Sequence, residues 1–182
     1  MPRDRRILDT AATAFHEKGF HGVGMDELGR RAGLSGPSLY RYFSGKDEIL
    51  ATLLNEAMDE LLGATRPVQD EPVADLHRAL RHHIDFALAN RPLVTLYQRE
   101  VRSLVEPWSK NFTRRRAEYS RAWEALVARA HPGLDEVAVA VATQGWLGMV
   151  FSVATWPERV LSTPQVADRI LGLLTRGETD AP

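Results

Sequence analysis

An all-α fold is what this sequence predicts, and three observations carry it. Apolar residues recur at spacings of three and four through most of the chain, the pattern of helices that bury one face. No long stretch alternates with the period of two that a half-buried strand needs; the one Val-Ala alternation, at 137–141, lies inside an apolar run too long for a strand. Pro67, Pro92, Pro107, Pro132 and Pro157 punctuate the periodic segments. About nine helices result, which we divide into residues 1–48 and residues 49–182.

Composition narrows the function classes. A chain of 182 residues, 44% apolar and 26% charged, can bury a real core and reads as soluble and globular. It has no cysteine, which removes disulfides, thiolate metal sites and thiol catalysis and fits a reducing, cytoplasmic location. The start, MPRDRR, is charged and lacks an apolar run, so no secretory signal is expected. Net charge is -1, and residues 1–48 carry 8 Lys+Arg against 7 Asp+Glu. Bulk charge therefore argues for no nucleic-acid partner, and any such claim must rest on where the charges sit.

The first helix spans about Arg5 to Lys18 on Ile7, Leu8, Ala11, Ala14 and Phe15, and Gly19 follows as a left-handed cap. Arg3, Arg5 and Arg6 precede it as a basic arm with two uses open to it: a solvated helix start, or a contact to phosphate or the minor groove. Gly24 leads into a short helix, Met25 to Ala32, with Asp26 and Glu27 in its first turn. Gly33-Leu34 make a turn; Ser35 is placed as an N-cap and Pro37 in the first turn of the next helix. Leu39 and Phe43, four apart, face the core, which leaves Ser38, Tyr40, Arg41 and Tyr42 outward. Ser44 and Asp47 have capping-box spacing, and a fourth helix opens there with Lys46.

Two short helices joined by a Gly turn form a helix-turn-helix pattern, and its hydroxyls, Arg41 and Lys46 are donors suited to phosphate and base edges. The run AFHEKGFHGVGMDELGRRAGLSGPSLYRYFSGKDEIL resembles the DNA-binding domain of the TetR family of bacterial transcription regulators, including Leu39-Tyr40-x-Tyr42-Phe43-x-x-Lys46. The resemblance covers about Arg5 to Leu54. It implies a three-helix domain whose third helix enters the major groove, with Ser38, Tyr40, Tyr42 and Lys46 on the DNA backbone and Arg41, Gly36 and Pro37 where bases are read. Ser35 and Gly24 complete the implied contact set. Two residues depart from the family pattern. Gly36 has no side chain where relatives carry a base reader, which shifts readout to Arg41, Ser38 or the second helix, and Gly24 stands where a capping Ser or Thr is usual.

Beyond this domain only architecture is legible. Ile49 to Leu61 continue an amphipathic helix to Arg66-Pro67, Pro67 to Pro72 is a loop, and helices follow at about Val73–Asn90, Leu93–Leu104 and Trp108–Ala130. His77, His82 and His83 lack helical metal-site spacing, so no metal and no cofactor is expected. The aromatic stripe of the seventh helix is core by default. A cavity lined by Phe86, Tyr97, Glu100, Trp108, Phe112, Tyr119, Trp123 and Gln144 is the sharper use, and Arg114, Arg115 and Arg116 are a solvated face or a hold for an anionic ligand tail.

Asp135-Glu136 open an eighth helix, and Val137 to Trp156 carry no charge over a length able to span a bilayer. Its small residues, central Gln144 and acidic flanks favour burial against a partner subunit over a membrane. A last helix runs from Thr163 or Pro164 to Leu174, ahead of a frayed tail after Arg176. In family terms the last two helices of two copies form a four-helix interface, here through Trp146, Met149, Val150, Val153, Val166 and Ile170.

The implied function is a ligand-responsive repressor that binds palindromic operator DNA as a homodimer and is released by a small hydrophobic effector. The segment Leu96 to Glu100 with the Arg-rich seventh helix resembles regulators that sense acyl-CoA thioesters. The alternatives are a helical adaptor that keeps the DNA-binding scaffold, or an enzyme. No Ser/His/Asp arrangement, phosphate-cradling Gly loop or paired carboxylates support the last.

Overall fold

The computed structural model describes residues 3–68 and 71–175, and among these there are ten α-helices and no strand. The helices are α1 Arg3–Lys18, α2 Met25–Ala32, α3 Gly36–Leu39, α4 Lys46–Ala64, α5 Pro72–Ala89, α6 Arg91–Glu100, α7 Trp108–Ala130, α8 Glu136–Ser152, α9 Glu158–Leu161 and α10 Val166–Thr175. Two compact units share them: Met1–Ala57 with Pro92–Arg115, and Met58–Arg91 with Arg116–Pro182. The chain crosses from one to the other inside α4, at the head of α6 and inside α7.

In the first unit α1 buries Ile7, Leu8, Ala11, Ala14 and Phe15, and Phe15 meets Phe20 edge to face at 5.2 Å. Gly33 ends α2 at φ +70°, and the Leu34 N–H reaches back to the Gly29 carbonyl at 2.8 Å, so a left-handed residue and a close backbone bond make the turn. A Cβ at Gly29 would sit 3.2 Å from the Leu34 carbonyl oxygen. With α3 only four residues long, its stability comes from the buried Leu39 and the following turn, where Tyr42 and Phe43 donate to the Leu39 carbonyl. At the start of α4, Glu48 rather than Asp47 closes the box: its carboxylate accepts from the Ser44 N–H at 2.6 Å and the Ser44 hydroxyl at 2.8 Å.

The same unit includes α6 and the first part of α7. Glu100 accepts from the Phe20 N–H at 3.4 Å and from the Ser103 hydroxyl at 3.0 Å, Ser103 lies 3.2 Å from His21, and Arg115 donates to the Asn55 side-chain oxygen at 3.0 Å. The α1–α2 corner is thus tied to a segment about eighty positions away in sequence.

The second unit centres on α5, which packs against α8 and α10. Asp75, fully buried, accepts from the Val68 N–H at 2.9 Å and from Arg78 at 3.3 Å, while Arg78 donates to the Ala64 and Arg66 carbonyls. The otherwise unsatisfied carbonyls at the end of α4 are met in this way. Asp135 caps α8 by accepting from the Ala138 N–H at 2.8 Å. Residues 136–155, α8 and the 3-10 turn after it, are long and apolar enough to cross a membrane, and 33% of the best window is buried within the chain.

Three expectations shift. The short α9 was not expected, because four residues after Pro157 show no period. α10 begins at Val166 instead of 163 or 164, because Gln165 is left-handed at φ +59° and cannot start a helix. α6 ends at Glu100, with a 3-10 turn over Val101–Ser103. The expected tail after Arg176 lies outside the described residues, as do residues 69–70 of the α4–α5 loop.

Candidate DNA-binding surface

Burial sorts the α3 region as a DNA reader requires. Leu39 and Phe43 point into the core, while Tyr40 is 55% exposed, Tyr42 39% exposed, and Arg41 and Pro37 are open to solvent. Ser35, though at the cap position, does not bond the helix backbone; its hydroxyl lies 2.7 Å from that of Ser38. Two hydroxyls therefore sit side by side at the open end of α3, each able to turn a proton toward a phosphate oxygen.

The basic residues of the first unit fall into two groups. Arg5 is held by Asp9 and Glu56, Arg31 by Glu17 and Glu27, and Lys18 by Glu27. Within the second of these networks the Lys18 ammonium, and after it Arg31, hold the Glu27 carboxyl below its usual range. Arg3, Arg6, Arg30 and Arg41 are exposed and have no carboxylate partner among the described residues. The neighbouring Tyr42 raises the already high pKa of Arg3. Arg6 reaches across the α2–α3 turn, its Nη2 2.9 Å from where a Cβ on Gly33 would stand. Within the basic arm Arg5 is thus a structural tie, while Arg3 and Arg6 keep their charge uncompensated by a carboxylate among the described residues.

Lys46 departs from expectation. Its ammonium donates to the carbonyls of Phe20 and Val23 at 3.1 and 3.2 Å and lies 4.5 Å from the Phe20 ring centroid. Two of its three protons are committed to the α1–α2 corner, so its first task is to hold that corner. Gly36 stands beside Asp26: a Cβ there would lie 3.0 Å from Asp26 Oδ1. The missing side chain leaves an exposed carboxylate of α2 next to the start of α3, a group able to accept from cytosine N4, and sequence pattern alone does not single it out.

Gly24 is the extended N-cap of α2, with no side-chain cap and nothing within 4 Å of an added Cβ. Gly24→Thr is expected to raise stability by about 0.5 kcal/mol, through the added cap and a stiffer unfolded chain. The same hydroxyl should tighten DNA binding several-fold. Thermal melts and fluorescence anisotropy on a DNA fragment read the two effects separately.

The residues expected to line a cavity fall in both units. Tyr97 and Phe112 approach at 6.1 Å between ring centroids in the first unit, where Trp108 is half-buried and Glu100 is occupied by Phe20 and Ser103. Phe86, Tyr119 and Trp123 are buried in the second unit. Gln144 lies exposed on α8, on the outward strip with Val137, Val141, Gly145 and Gly148, so it lines no interior. His83, which sequence reasoning set aside with His77 and His82 as no metal site, is fully buried, bonded through Nδ1 to the Ala79 carbonyl at 2.8 Å and stacked at 5.8 Å on Tyr119. Its position between Leu80 and Ala87 on the apolar face of α5 was the available signal. Among the described residues no group of three His, Asp or Glu side chains is placed to hold a metal.

The interface residues also divide. Val150, Val153 and Ile170 are buried in the chain's own core and have no surface left for a partner, whereas Trp146, Met149 and Val166 are half-exposed. The open apolar positions are Val137 (72%), Val141 (67%) and, on α10, Leu173.

Comparison with known proteins agrees with this arrangement. Residues 7–53 match the family model described as bacterial regulatory proteins, tetR family, and residues 69–178 match that of the tetracyclin repressor-like C-terminal domain. Among curated relatives, the HTH-type transcriptional activator FasR of Mycolicibacterium smegmatis is 41% identical over 69 residues, 36% of this chain and 32% of that one. The HTH-type transcriptional repressor KstR2 of Rhodococcus jostii is 29% identical over 106 residues, 57% of this chain and 52% of that one. The matched segments thus span a third to a half of these relatives. The structure of KstR2 of Mycobacterium tuberculosis superposes with a TM-score of 0.82 at 21% identity, covering 97% of this chain and 94% of the other. AibR, solved in complex with isovaleryl coenzyme A and operator DNA, superposes at 0.79 with 24% identity, covering 94% and 97%. With the two family models together matching well over half its length, the chain belongs to the TetR family of bacterial transcription regulators.

Proposed function

We propose that the protein is a homodimeric repressor that holds duplex operator DNA through α2 and α3 of each subunit and releases it when a small, largely apolar effector binds. One observation carries the DNA reading: Ser35, Ser38, Tyr40, Arg41 and Tyr42 are presented on α3 and the turns that flank it, Leu39 and Phe43 anchor them to the core, and cations free of carboxylates lie nearby. One reading helix of four residues makes too few contacts for useful specificity, so two copies addressing a palindrome are required. The outward apolar strip of α8, with Leu173 of α10, is the surface we assign to the second copy. That pairing would bury the part of α8 that its own chain leaves open, and we favour it over insertion of the same helix into a bilayer.

An effector acts here only by binding one spacing of the two reading helices better than another, with a coupling of about 1–3 kcal/mol. AibR, solved with isovaleryl coenzyme A, motivates the choice of an effector with an apolar part. DNA-binding regulators of this kind are not enzymes and work in the cytoplasm, where we place the chain.

The deciding experiment is anisotropy with a promoter fragment from beside the gene, across a salt series. A sequence-selective complex that weakens steeply with salt is expected. Arg6→Ala and Arg41→Ala should each flatten the log-log slope by about 1 per subunit, while Arg5→Ala, already neutralised, leaves it unchanged. No salt-sensitive complex at micromolar protein would leave the adaptor reading in its place. In sedimentation, Val141→Glu should give monomers with weakened DNA binding.

A further inference from the structure

Asp26, the second residue of α2, is exposed and makes no hydrogen bond or ion pair among the described residues, whereas its neighbour Glu27 is held by Lys18 and Arg31. Gly29 decides where that free carboxylate stands. A Cβ at Gly29 would lie 3.2 Å from the Leu34 carbonyl oxygen and 3.7 Å from the Gly36 nitrogen, so its bare backbone lets α2 rest against the head of α3. Asp26 is three positions earlier on the same face of α2, and its Oδ1 comes within 3.0 Å of the place that a Cβ on Gly36 would take. Among the described glycines only Gly19 and Gly33 are left-handed, so no positive φ calls for glycine at position 36, and glycine is a poor helix former. What Gly36 supplies at the first position of α3 is room for the carboxylate.

The chemistry of the carboxylate decides what it can meet on DNA. Ionised, it only accepts, and beside a reading helix it stands in the negative potential of the phosphates, which a donor on a base must offset. In the major groove guanine shows the acceptors N7 and O6, and thymine shows the acceptor O4 and a methyl group; both repel or ignore a carboxylate. Adenine offers its N6 amino group but sets the N7 acceptor beside it. Cytosine offers its N4 amino group alone, so a lone carboxylate selects cytosine. Asp26 in the first turn of α2 also suits the helix dipole, but that role is blind to the base.

Resting on the reading of the chain as a DNA-binding regulator, we propose that Asp26 is a specificity-determining residue that accepts from N4 of one cytosine in each half-site, in the space Gly36 leaves open. The test is selection of bound duplexes from a randomised library by the full chain, followed by anisotropy on the selected site with each base in turn at every position. The parent is expected to select cytosine at one position of each half-site, about tenfold tighter there than any other base. Asp26→Asn should move the preference at that position to adenine, because a carboxamide accepts from N6 and donates to N7, and should leave the other positions as they were. Asp26→Ala should level the four bases at that position alone, whatever it does to overall affinity. A parent half-site without a preferred cytosine, or base preferences that stay the same at every position in both variants, overturns the proposal; the second result is what a helix-dipole role alone gives. The parent keeps the two readings apart: selection of no sequence at all sinks the regulator, and a selected half-site whose pattern ignores residue 26 sinks only the contact.

Discussion

Leu39→Ala is expected to cost about 3 kcal/mol and to abolish DNA binding, although Leu39 has no surface to offer DNA. The side chain is fully buried, and truncating a buried Leu typically removes about 2–5 kcal/mol. The particular weakness here is α3: four residues cannot hold a helix in water, and Leu39 anchors both that helix and the turn whose N–H groups at Tyr42 and Phe43 bond its carbonyl. Tyr42→Ala removes an exposed ring of the proposed DNA surface instead, and should leave stability within about 0.5 kcal/mol while weakening the DNA complex. Urea melts alongside anisotropy separate the two variants. A Leu39→Ala protein that melts like the parent would mean that α3 is held by something other than its core residue.

The second large effect is a loss of stability in mild acid. Burial, opposed by the bond to Ala79 and aided by the nearby His82, depresses the His83 pKa to about 3 in the folded chain. In the unfolded chain an imidazole protonates near 6.5. Stability is therefore complete above about pH 6.5 and falls as the pH drops toward 3, because only the unfolded chain takes up the proton. The slope approaches 1.4 kcal/mol per pH unit, or about 2 kcal/mol between pH 6.5 and 5. His83→Phe should remove that slope in denaturant titrations across this window. Glu27 has the same sign but acts lower, below its ordinary 4.5, so Glu27→Gln should leave the window above pH 5 untouched.

How much of this was legible in the sequence depends on what each residue type announces. The bounds of α2 read off directly because Gly24 and Gly33 mark them, and those of α7 because Pro107 precedes Trp108 and His131-Pro132 follow Ala130. The end of the α9–α10 connection was hidden because Gln165 takes a left-handed conformation that usually advertises itself as Gly. Lys46 at a helix start looks like a phosphate ligand in any sequence; that its ammonium turns inward depends on carbonyls of Phe20 and Val23, more than twenty residues earlier. On α8, apolar on every side, periodicity cannot say which residues face home and which face out, and so Val150 and Val153 were assigned to a surface they do not have. His83 needed the reverse insight, that an imidazole on the apolar face of α5 is carried into the core.

The ties from Glu100 to Phe20, from Ser103 to His21 and from Arg115 to Asn55 also bear on how this protein can be cut and recombined. A graft that moves only residues 1–57 into another regulator, the first contiguous part of the first unit, would carry α1 to the middle of α4 without the α6 and α7 groups that brace their corner. Transplanted with residues 92–115 of its own chain, or into a host that bears a carboxylate and a guanidinium at the equivalent places, the same head should keep its affinity for its operator. The practical module is thus discontinuous, and the second unit is the part that can be exchanged around it.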